Sequence, residues 1–124
     1  MLLNSTIVAT LPATDLNRAK QFYTDKLGLH VTEESDGMLM LHTERGSDIY
    51  LYKREPTKAD HTVVAFSVND VEKEVKELKS KGIKFEEYDI PGIKTVNSIA
   101  DWGNERMAWF KDSEGNILGL SDHN

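Results

Sequence analysis

The sequence predicts an α+β fold made of two strand–helix–strand–strand–strand modules that pair their sheets. Three observations carry this. The stretch "VATLPATDLNRAKQFYTDKLGLHV", residues 8–31, reads as strand, turn, helix, glycine stop and strand. The stretch "VVAFSVNDVEKEVKELKSKGIKF", residues 63–85, repeats that order. Asp15 and Asp70 lie 55 positions apart while Gly28 and Gly82 lie 54 apart, so the first helix holds one extra residue. Units this small cannot each bury a sufficient core, which is the physical reason to expect them paired. The chain then forms one domain, 1–124, with module 1 over about 5–55, a linker at 56–60 and module 2 over about 61–122.

The elements follow in order. Thr14 or Asp15 caps the first helix. Leu16, Ala19, Phe22, Tyr23 and Leu27 then share one face, and Gly28 supplies the left-handed stop. "LHVTEE", "GMLMLHTE" and "SDIYLYKR" read as strands, the last two joined by a turn at "RGSD". "EPTKAD" is the polar linker. After the strand "HTVVAFSVND", Asn69 or Asp70 caps a helix whose inner face is Val71, Val75 and Leu78, and Gly82 ends it. "IKFEEY" is expected to be a strand, with Glu86 and Glu87 solvated at an edge. Tyr88 to Trp109 reads as a long loop, and "MAWFKDSEGNILGLSD" as strand, turn, strand.

Composition narrows the function. Fifteen Lys and Arg against 21 Asp and Glu leave a net charge of −6, and no basic stripe appears, so nucleic acid is not an expected partner. No apolar run approaches the roughly 20 residues of a membrane span, and "MLLNSTIVAT" lacks the length and basic start of a signal peptide. The absence of cysteine removes thiolate metal sites and disulfides and fits a cytoplasmic protein.

Three stretches, "TDLNRAKQFYTDKLGL", "FSVNDVEKEVKELKSKGI" and "WFKDSEGNILGL", resemble the vicinal oxygen chelate superfamily, which includes glyoxalase I, bleomycin-resistance proteins, extradiol dioxygenases and methylmalonyl-CoA epimerase. The resemblance covers nearly the whole chain. It implies two βαβββ modules whose sheets curl around a cavity, frequent homodimerisation, and a divalent metal held by side chains from the first and last strand of each module. Carried onto this sequence, those positions are Val8, Tyr50, Val63 and Gly119. Valine and glycine offer no donor, and neutral tyrosine is a poor one. The expectation is therefore no metal cofactor. The alternative is a metal such as Ni, Zn, Mn or Fe on His42 and His61, with Asp101 and Glu105 as further donors; a two-residue slip would bring His61 to the Val63 slot, though no such slip rescues all four positions.

The expected ligand contacts are aromatic and polar: Thr10, Met40, His42, Tyr50, Tyr52, Trp102, Glu105 and Trp109, with Pro12 beside Thr10. His42 shares a strand face with Met38 and Met40. His30 and His123 read as surface, the latter frayed. Both tryptophans equally suit core or interface. The expected function is binding of a small organic molecule, preferably cationic, in an aromatic cavity. Were the chain an enzyme, it would be a lyase, isomerase or dioxygenase using non-standard metal ligands, or a metal-free catalyst using His42 or Tyr50 as acid or base.

Overall fold

The computed structural model of the chain describes every residue except Ala59 and Asn124; Ala59 falls in the expected linker and lies outside the described residues. Two compact units divide the chain, Met1–Thr57 and Lys58–Asn124.

The first unit contains β1 (Ala9–Ala13), α1 (Leu16–Gln21) continued by a π-helical turn (Phe22–Lys26), β2 (His30–Glu34), β3 (Met38–His42) and β4 (Asp48–Lys53). Its sheet has the order β1-β4-β3-β2, with β1 parallel to β4 and the other pairs antiparallel. Side chains alternate across a strand. Leu11, Ala13, Leu39, Leu41, Ile49 and Leu51 are buried and share one face. On α1 and its π-helical extension, Ala19 and Tyr23 are buried, and α1 packs on β3 and β4.

Both helices start as the sequence predicts. The Asp15 carboxylate accepts from Arg18 N at 3.0 Å, and Asp70 from Lys73 N at 3.2 Å. They also stop alike. Leu29 N donates to Tyr23 O at 3.0 Å, and Ile83 N donates to Leu78 O at 3.1 Å. Gly28 and Gly82 hold φ of +75° and +88°, the left-handed region that favours glycine. The extra residue is absorbed by the π-helical turn, in which Leu27 N reaches five residues back to Phe22 O at 3.3 Å.

The second unit contains β5 (Thr62–Ser67), α2 (Val71–Ser80), β6 (Asp89–Ile90), β7 (Ile93–Val96), β8 (Ile99–Asp101), β9 (Glu105–Lys111) and β10 (Ile117–His123), in the sheet order β5-β10-β9-β8-β7-β6. Val71, Val75 and Leu78 of α2 are buried, and α2 packs on β9 and β10. Ala108, Phe110, Leu118 and Leu120 are buried and cross-strand paired.

Here the expectations need correction. "IKFEEY" is not a full strand: only Phe85 bridges, to Phe110, and Glu86 N donates to Trp109 O at 2.8 Å. The segment from Tyr88 to Trp109 is not a loop but β6, β7, β8 and most of β9. Its β7–β8 turn puts Asn97 and Ser98 at φ of +52° and +74°, the signs of a two-residue hairpin turn. Such turns usually announce themselves with glycine, which is absent at both positions, so the pattern read as irregular. Glu87 is not simply solvated either. Its carboxylate accepts from Ser98 N at 3.1 Å, Ser98 Oγ at 2.7 Å and Thr95 Oγ1 at 2.7 Å. His123 is not frayed; it ends β10 and approaches Glu105 to 3.5 Å.

Candidate functional site

Five of the expected contact residues meet on one face of the first sheet. Register places Thr10 beside Tyr50 and Tyr50 beside Met40, forming one row across β1, β4 and β3. Pro12, Tyr52 and Met38 form the next row, and Asp48 and His42 the one on the other side. This is the face opposite the buried leucines. Thr10 is exposed, and the other residues of these rows are half-buried. Two phenol rings and two thioethers therefore present a broad, polarisable surface still open to a ligand.

The β3–β4 hairpin closes one end of this face. Thr43 N donates to Ser47 O at 2.9 Å, and Gly46, at φ +92°, completes the turn. That turn sets His42 opposite Asp48, and His42 Nδ1 lies 2.9 Å from Asp48 Oδ1. Asp48 was not among the predicted site residues. The signal was present in "HTERGSD", where a tight turn must bring the residues flanking it together.

Trp102, Glu105 and Trp109 belong to the second unit. Trp109 is 5% exposed and packs with Ala100 and Ile117, with Tyr88, Ile93 and Met107 against them. Its ring meets Tyr88 edge-on at 5.3 Å and Trp102 edge-on at 6.4 Å. Burial raises the Tyr88 phenol above its ordinary range, helped by the charge on Glu86. Trp102 is 44% exposed and is anchored by its indole N–H donating to Gly92 O at 3.1 Å. None of the eight expected contact residues lines either of two surface grooves, of about 530 Å³ at the start of α1 and about 720 Å³ beside α2.

The expected metal positions carry little donor chemistry. Val8, before β1, and Val63, on β5, are 39% and 36% exposed. A Cβ on Gly119 would stand 3.5 Å from Met107, Thr62 and Trp109 side-chain atoms. The alternative donors have protein partners. His61, at the exposed approach to β5, has Nδ1 3.1 Å from Asp60 Oδ1, and this bond pulls the Asp60 carboxyl below its usual range. Asp101 accepts from Gly103 N at 2.8 Å, and Glu105 faces His123. Among the described residues no group of three or more His, Asp or Glu is placed to share a metal ion.

A charged cluster absent from the sequence reading organises the second unit. Buried Asp122 accepts from Arg106 Nη2 at 2.6 Å, from Arg106 Nε at 3.2 Å and from Val71 N at 2.7 Å. The guanidinium holds the Asp122 carboxyl below the ordinary carboxylate range. Arg106 also reaches Asp70 at 3.2 Å. Its distance of 16 residues from Asp122 hid the pair until β9 and β10 were set in register.

The family model of the Glyoxalase/Bleomycin resistance protein/Dioxygenase superfamily matches residues 6–120. Solved structures share the fold. The antibiotic-binding protein TnmS3 from Streptomyces sp. CB03234 is 21% identical, with a TM-score of 0.75 over 100% of this chain and 99% of that one. A lactoylglutathione lyase from Agrobacterium tumefaciens is 18% identical, with a TM-score of 0.73 over 96% and 93%. The fosfomycin resistance protein FosX from Listeria monocytogenes is 14% identical, with a TM-score of 0.72 over 98% and 95%. No curated protein sequence matches the chain. At these identities the likeness concerns the fold, and it spans both an antibiotic-binding protein and a lyase.

Proposed function

Since the chain belongs to the glyoxalase/bleomycin resistance protein/dioxygenase superfamily, we propose that it binds a small organic molecule without the divalent metal common in such folds. The binding surface is the Thr10–Tyr50–Met40 and Pro12–Tyr52–Met38 face of the first sheet. One observation carries the reading: register gathers aromatic, thioether and hydroxyl groups on a half-open face, while Val8, Val63 and Gly119 contribute no donor where metals are usually held. Sequestration needs buried area and a few fixed hydrogen bonds, not a reacting group. Trp102, Glu105 and Trp109 are secondary candidates for contact. An acidic chain favours a neutral or cationic ligand. Homodimerisation and cytoplasmic residence belong to the same proposal. Among the described residues no helix is long and apolar enough to cross a membrane.

Two measurements test this. Chelator-stripped protein is mixed with Ni²⁺, Zn²⁺, Mn²⁺ or Fe²⁺ and its melting temperature and metal stoichiometry recorded; no shift and no bound equivalent is the expected outcome. One tightly bound equivalent would overturn the metal-free reading in favour of a lyase, isomerase or dioxygenase. A screen of aromatic small molecules followed by NMR should shift Tyr50, Tyr52 and Met40 together. Hits that leave all three unmoved would place binding elsewhere.

A further inference from the structure

We propose that Asp48 and His42 act as a hydroxyl-reading pair, selecting aromatic ligands that carry a free phenolic O–H. This rests on the reading of the first-sheet face as the binding surface and adds the ligand class. The two residues face each other across the β3–β4 hairpin, with Nδ1 2.9 Å from a carboxylate oxygen. A carboxylate can only accept, so Nδ1 carries the proton, and Nε2 of the neutral ring is left with its lone pair. Both side chains are about one-third exposed, which leaves the pair within reach of a ligand on this face.

Position makes that acceptor selective. His42 follows Met40 by two residues on the same strand face, and Asp48 precedes Tyr50 likewise. A ring lying on Met40 and Tyr50 would bring a substituent at its edge toward Nε2. A hydroxyl there gains a hydrogen bond, whereas its methyl ether gains none and crowds the imidazole. The Asp48 charge behind the ring disfavours a ligand carboxylate or phenolate. The neighbouring ionisable groups do not supply a competing donor of fixed geometry. His30, paired with His42 across β2, is exposed, and its Nε2 is 3.7 Å from Glu44.

The test uses full-length protein labelled with ¹⁵N-histidine and the matched probes 2-naphthol and 2-methoxynaphthalene. Long-range ¹H–¹⁵N spectra at pH 8 should show His42 as the Nδ1–H tautomer. Naphthol should bind about tenfold more tightly than the ether and shift the Nε2 resonance. The preference should collapse to about twofold or less in His42→Leu, while both probes still shift Tyr50. Asp48→Asn, the milder variant, should weaken naphthol selectively if His42→Leu fails to fold. Equal affinity of the two probes, with Tyr50 shifted by both, would overturn the pair's role and leave the binding face standing. If neither probe shifts any residue of the face, the binding reading is overturned and the pair with it. An Nε2–H tautomer would overturn the pair alone.

Discussion

The Asp122 carboxylate ties the last strand to the start of α2: one oxygen accepts from the Val71 N–H at 2.7 Å and from Arg106 at 2.6 Å. A helix N-terminus has unpaired N–H groups and attracts negative charge. Asp122→Ala leaves the Val71 N–H without its acceptor and Arg106 with only its longer contact to Asp70, and should cost about 2 kcal/mol in urea unfolding at pH 7. Acid should erase the difference. The folded-state carboxyl titrates below its unfolded value, so the stabilisation is complete above the ordinary carboxylate range and is lost as pH falls through the folded value. Asp122→Asn should therefore show a flatter acid limb than the parent, with the two curves converging below about pH 4.

Glu87 and Ser98 pose a test of opposing effects. Ser98 is buried with φ +74°, so glycine there would relieve strain of about 1 kcal/mol. It would also delete the hydroxyl that donates to the Glu87 carboxylate, a charged hydrogen bond contributing about 1.5–3 kcal/mol. The hydrogen bond is the larger quantity, so Ser98→Gly should destabilise by about 1 kcal/mol. Glu87→Ala should speed amide exchange at Ser98 while α2 protection is retained. A stabilised Ser98→Gly would show that strain dominates the turn.

The two helix caps match in geometry but not in load. Asp15→Ala should cost about 1 kcal/mol, the usual loss at an N-cap. Asp70→Ala also removes an acceptor of Arg106 and should cost up to about 2 kcal/mol. Denaturant midpoints of the two variants, compared at constant m, check the ranking.

Gly119 lies within β10, and its φ lies outside the left-handed region. A methyl there meets three side-chain atoms at ordinary contact distance. Gly119→Ala should be neutral or stabilising by about 0.5 kcal/mol. Gly119→Glu places a carboxylate against Met107 and Trp109 and should cost about 2 kcal/mol. Thermal unfolding of both variants distinguishes a tolerated methyl from a rejected charge.

The fold was largely legible because its signals are local. Asp15, Gly28, Asp70 and Gly82 marked helix ends by their own chemistry, and alternation in "MLMLH" and "DIYLY" marked the strand faces that gather Tyr50 with Met40. The misreadings share another cause. β6 to β8 are two to four residues long, too short for periodicity, and their turn at Asn97–Ser98 depends on Glu87 eleven residues before Ser98. The Arg106–Asp122 pair and the His42–Asp48 pair are products of strand register, which composition does not encode.

The π-helical turn at Phe22–Lys26 has a consequence for how such duplicated chains diverge. One additional residue in an ordinary α-helix rotates everything after it by about 100°, which would swing the following strand off its partner. Here the surplus is confined to a single widened turn, and Leu29 still bonds back to Tyr23 as Ile83 does to Leu78. The first helix thus carries one residue more than the second while the strands on either side keep their places, and the two halves differ in length at that single turn with their ends still comparable.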